Sequence, residues 1–88
     1  MFLQGQIAHN KNKIRGHCRR GMLELDIILS QFFADHYDHL NEKQQCLFSQ
    51  LLQEQDPTLY RWFLGYEQPE DKQMQTMVSY ILSSRKEK

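Results

Sequence analysis

The nine residues CRRGMLELD, 18 to 26, set two adjacent arginines, a glycine and two acids inside little more than two helical turns. Such a grouping offers charge-assisted hydrogen-bond donors, carboxylates and a bare backbone at one place, which suits recognition of another molecule. With Gly21 as N-cap, Glu24 falls at N3 and can reach back to a backbone N–H, so a capping box accounts for both. Arg20 is left over. A cation at a helix N-terminus opposes the macrodipole, and Arg20 four residues before Glu24 is the less favourable order for an ion pair. On this reading the arginines face something outside the helix, and Gly21 lets another backbone approach.

Other residues capable of chemistry assemble less well. His36 and His39, flanked by Asp35 and Asp38, share one helical face, but two histidines without a third ligand read as a solvated helix end. Cys18 beside His17 suggests a nucleophile and base, yet adjacent helical residues point in different directions. Tyr60, Trp62, Phe63 and Tyr66 form an aromatic cluster whose members are core, or in part an exposed anchor for a partner. No G-x-G-x-x-G follows a strand and no phosphate-cradling loop is present, which excludes nucleotide binding by a standard fold.

The elements that must position these residues are helices. Met22, Leu25, Leu29, Phe32 and Phe33, with Ile28, recur at three- and four-residue intervals and predict an amphipathic helix to about Tyr37. Asn41 followed by Gln44 opens a second helix with Leu47, Phe48, Leu51 and Leu52 on one face. In QDPTLYRWFLG, Asp56 as N-cap, Pro57 at the first turn and Gly65 past the end bound a short third. Met74, Met77, Val78 and Ile81 mark a last helix ending among Ser83 and Ser84, and NKNKIRGHCRR is a weaker one carrying Ile14 and Cys18, interrupted by Gly16. Four to five helices and no strand pattern make an all-α single domain, a compact bundle, with 1–10 and 85–88 expected as loose ends.

Eighty-eight residues that are 40% hydrophobic and 11% aromatic make a globular domain too small for a large internal cavity. Neither a membrane-spanning run of ~20 apolar residues nor a secretory signal is legible, and Cys18 and Cys46 fit no zinc or dense disulfide spacing, so a soluble cytoplasmic monomer with reduced thiols is expected. Net charge is zero, but residues 1–23 carry Lys11, Lys13, Arg15, Arg19 and Arg20 and no acid. That asymmetry fits either a basic surface for an acidic partner or a solvated basic end.

The stretch CRRGMLELD resembles the R-G-x-x-E signature of the FAD assembly factors of succinate dehydrogenase, the flavinator family. The likeness runs from about Lys13 through Phe32-Phe33, Asp56-Pro57 and Trp62-Phe63 to the closing helix. It implies a five-helix helper protein, not an enzyme, that binds the flavoprotein subunit of succinate dehydrogenase, and of fumarate reductase in some bacteria, and promotes covalent attachment of FAD. It assigns partner binding to Arg20, Gly21 and Glu24, flanked by Arg19 and Asp26. A bundle of this size has little room to enclose free FAD, so tight binding of the cofactor is not expected. The competing readings are an antitoxin-like binding module and a helical nucleic-acid binder; the acids beyond residue 23 and the lack of a recognition helix lower the second.

Overall fold

The computed structural model describes residues 11–86, and of Lys86 the backbone alone. Among the described residues five helices follow one another: α1 (Lys11–His17), α2 (Leu23–His36), α3 (Glu42–Leu51), α4 (Asp56–Leu64) and α5 (Lys72–Lys86). A single 3₁₀ turn, Tyr37–His39, follows α2. No strand occurs among the described residues. Of the ends expected to be loose, 1–10 and 85–88, residues 1–10 and 87–88 lie outside the described residues, whereas 85–86 continue α5.

The local signals at two helix ends act as their residue types require. Asn41 and Gln44 form a reciprocal capping box, the Gln44 N–H donating to Asn41 Oδ1 at 2.8 Å and the Asn41 N–H to Gln44 Oε1 at 3.0 Å. Gly65 takes the left-handed conformation at φ 83°, and the Tyr66 N–H closes onto the Arg61 carbonyl at 2.9 Å. α5 runs past Ser84 instead of stopping there. Ser84 Oγ donates to the Ile81 carbonyl one turn back, at 2.7 Å, so the buried hydroxyl is satisfied without breaking the helix.

Apolar faces of all five helices meet in one core. Leu25, Leu29, Phe32 and Phe33 of α2 are buried, together with Phe48 and Leu51 of α3, Leu59 and Phe63 of α4, and Met77 and Ile81 of α5. α2 packs on α4 and α5, and α5 also packs on α3 and α4. Phe32 lies at the centre, its ring 5.3 Å from Phe48, edge-on to Tyr80 at 5.3 Å and stacked on His36 at 5.2 Å. His36 is therefore an aromatic wall of the core, while Asp38 pairs with Lys11 at 2.8 Å. No group of three metal-ligating side chains forms among the described residues. Of the aromatic cluster, Phe63 is buried, Tyr60 and Trp62 are half-buried, and Tyr66 stands in solvent at 76% exposure.

Cys18 belongs to the same core. Burial pushes its thiol up to about 12, against the opposing pull of the nearby Arg20 charge. Since the thiolate is the nucleophile, iodoacetamide at pH 8 is expected to label the half-exposed Cys46 in the native protein and spare Cys18. Peptide mapping after native alkylation checks this; labelling of both at equal rates would contradict the packing.

Candidate functional site: the α1–α2 turn and the face beside it

After His17 the chain enters the core at Cys18 and crosses four non-helical residues before α2 begins. The buried cysteine places its two arginine neighbours differently. Arg19 projects into solvent, its side chain 79% exposed and only 3.9 Å from Asp26, an ion pair worth little at such exposure. Arg20 turns inward, its side chain 12% exposed. Its Nε donates to Asp56 Oδ1 at 2.8 Å, Nη1 to the carbonyls of His17 at 2.9 Å and Leu52 at 3.1 Å, and Nη2 to the carbonyl of Glu54. Those carbonyls belong to the end of α1 and to the loop between α3 and α4, so one planar guanidinium ties three parts of the chain together.

Asp56 completes the lock. Its second oxygen accepts the Met22 N–H at 3.1 Å. Asp26 Oδ1 accepts the Arg20 N–H at 3.3 Å. The N–H groups of Arg20 and Met22, in the turn that leads into α2, are thus met by carboxylates from α2 itself and from α4.

This arrangement corrects three expectations. Arg20 does not face outward; its donors are taken up inside the molecule. Gly21 and Glu24 do not form a capping box, because the N-cap is Met22, with no side-chain cap, and Glu24 falls at N2, exposed and without a hydrogen bond or ion pair among the described residues. Asp56 is the first residue of α4, not its cap, that position going to Gln55, and its carboxylate serves α2 instead. The five residues expected to bind a partner therefore divide. Arg20 and the half-buried Asp26 shape the turn, while Arg19, Gly21 and Glu24 lie on its outer side.

Two further residues share that outer side. Leu23 is 70% exposed and Ile27 42%, and they sit one turn apart on α2. The stripe of Met22, Leu25, Leu29, Phe32 and Phe33 already faces the core, so apolar residues at 23 and 27 fall on the opposite side. That misfit was the signal available in the sequence. Nothing local could have announced Asp56, which meets Arg20 across 36 residues of chain.

The lock has a pH signature. The Arg20 guanidinium beside Asp56, assisted by the Met22 and Gly21 N–H groups, holds the carboxyl below the ordinary 3.8 of an aspartate despite its partial desolvation. A carboxyl with a depressed folded-state pKa stabilises the fold above 3.8 and loses that contribution as pH falls through the folded value. Melting temperature is expected to fall more steeply below pH 4 in the unmodified chain than in Asp56→Asn, which starts lower and titrates less. Parallel slopes in thermal melts from pH 6 to 2.5 would contradict it.

Residues 12–85 match the family model described as the flavinator of succinate dehydrogenase. The chain belongs to that family. Proteins named FAD assembly factor SdhE are similar to it over most of their length. That of Idiomarina loihiensis is 40% identical over 74 residues, 84% of this chain and 82% of its own. That of Colwellia psychrerythraea is 47% identical over 73 residues, 83% and 80%. The Legionella pneumophila protein is 46% identical over 71 residues, 81% and 89%. The match begins within α1 and ends within α5, so the flavinator fold includes every helix described above.

Proposed function

We propose that this flavinator chain binds the flavoprotein subunit of succinate dehydrogenase through the outer side of the α1–α2 turn and promotes covalent attachment of FAD there. The observation that carries the reading is Gly21. A Cβ built at this position would meet only Asp56 Oδ2, at an ordinary 3.8 Å, and the backbone is outside the left-handed region. Nothing within the described fold calls for glycine, which leaves close approach by another chain as its use. Around it, Arg19 and Glu24 offer charges of both signs, and Leu23 and Ile27 offer apolar anchors that cost little to desolvate.

Attachment of the flavin requires the cofactor and the client's histidine to be held in near-attack geometry. A partner whose own surface is rigid can stabilise that arrangement with binding energy alone. The Arg20–Asp56 lock provides the rigidity, and the outer residues supply contacts instead of reacting groups. The chain is thus a helper and not a catalyst, works as a monomer in the cytoplasm, and leaves FAD to its client; the flavoprotein of fumarate reductase is a second client of the same face. The nucleic-acid reading loses support here, since Arg20 and Lys11 are both engaged with carboxylates.

Deletion of the gene is expected to lower covalent flavin on the succinate dehydrogenase flavoprotein at least severalfold, and a wild-type copy to restore it. In-gel flavin fluorescence reads the result. Unchanged fluorescence in the deletion strain would overturn the proposal.

A further inference from the structure

Beside the turn, α1 and α2 enclose an open groove of about 460 Å³. The two helices run antiparallel: Lys11 reaches Asp38, Arg15 lies 5.9 Å from the centre of the Phe33 ring, and Arg19 approaches Asp26. One wall is cationic. Lys11, Arg15 and Arg19 line it at four-residue spacing, with the carboxylate of Asp38 already paired to Lys11. The floor is apolar, made by Phe33 and the buried Cys18, and the opposite wall is low because α2 carries small residues there, Ser30 and Ala34.

Leu23, Ile27, Ser30 and Ala34 follow one another at steps of four, three and four, so they form a single face of α2. That face begins at Gly21 and ends in the groove. Arg19 belongs to both, flanking the glycine and lining the cavity. The groove is therefore continuous with the proposed client-binding face and opposite in charge to an acidic ligand.

We infer that the α1–α2 groove receives a short acidic segment of the flavoprotein client. An apolar side chain of the segment enters over Phe33, between Ser30 and Ala34, and its carboxylates meet Arg15 and Arg19. The groove then extends the contact made at Gly21 and adds an electrostatic component that salt weakens.

The inference rests on the flavoprotein reading, and the test separates the two. Purified full-length chain is titrated with the purified flavoprotein subunit at low and at physiological ionic strength. Ala34→Trp, which fills the groove from an exposed position, and Arg15→Glu, which reverses its wall, are each expected to weaken binding tenfold or more; Arg15→Glu should also flatten the salt dependence. Failure of the unmodified chain to bind the flavoprotein would sink both readings. Binding that Gly21→Arg abolishes, but that Ala34→Trp and Arg15→Glu leave within twofold, would sink the groove alone. Should either variant melt early, a photo-crosslinker at position 34 decides: an adduct to an acidic stretch of the flavoprotein supports the inference, and an adduct to nucleic acid, to a second copy of this chain or to no acidic stretch overturns it.

Discussion

Arg20→Ala is expected to lower the melting temperature by roughly 10–20 °C, a larger loss than any other single charge removal in the described chain. The guanidinium donates to one carboxylate and three carbonyls. Alanine would leave Asp56 beside the start of α2 without its counter-charge, and the carbonyls of His17, Leu52 and Glu54 without donors. Removing one member of a buried pair costs about 3–5 kcal/mol, and hydrogen bonds to charged groups contribute about 1.5–3 kcal/mol. Asp56 keeps some solvent contact, its side chain 24% exposed, so about 2–4 kcal/mol is the appropriate range. Lysine should rescue little, since a point charge cannot reach acceptors on three segments at once. Arg19→Ala, only one residue away, should shift melting by no more than about 2 °C, because its side chain is exposed and its ion pair weak. Thermal melts of the three variants check this. Equal stability of Arg20→Ala and the unmodified chain would show that the lock does not hold the turn.

Gly21→Arg is expected to do the reverse: near-native melting and loss of client binding by at least a hundredfold. The new side chain has open space on leaving the backbone, and Asp56 at 3.8 Å from its Cβ even offers a counter-charge. Folding therefore tolerates it at a cost of about 1 kcal/mol or less. A partner backbone seated against the glycine does not tolerate it, because a bulky cation enters the centre of the contact and separates Leu23 and Glu24 from their partners. Co-purification with the flavoprotein, beside thermal melts of the same samples, gives both readings. Retained binding would remove Gly21 from the interface, and early melting would make the glycine architectural.

The second variant follows what the motif alone suggests and the first inverts it, and the reason lies in the range over which sequence signals act. Helix ends at Asn41–Gln44 and Gly65 were legible because cap and partner lie within four residues and the chemistry is local. The stripes through Leu25, Leu29 and Phe32, and through Met74, Met77 and Ile81, were legible because burial repeats with the helical period. The start of α2 was not. Its leading N–H, that of Met22, is taken by Asp56, 34 residues away, so a rule that seeks a partner three residues on assigns Glu24 a task that another helix performs. The same long-range contact hides the role of Arg20, which by local rules is a cation misplaced against the helix dipole. In the folded molecule it is the donor that three segments share.

The division of CRRGMLELD into an inner lock and an outer contact face is the central claim, and a reconstituted reaction tests it most directly. Purified flavoprotein subunit lacking covalent flavin is incubated with FAD and either the unmodified chain or Gly21→Arg, both shown by melting to be folded at the assay temperature, and covalent flavin is followed by in-gel fluorescence. The unmodified chain should accelerate attachment severalfold over flavoprotein and FAD alone, and Gly21→Arg should give no acceleration. Equal acceleration by the two chains, or none by either, would contradict it.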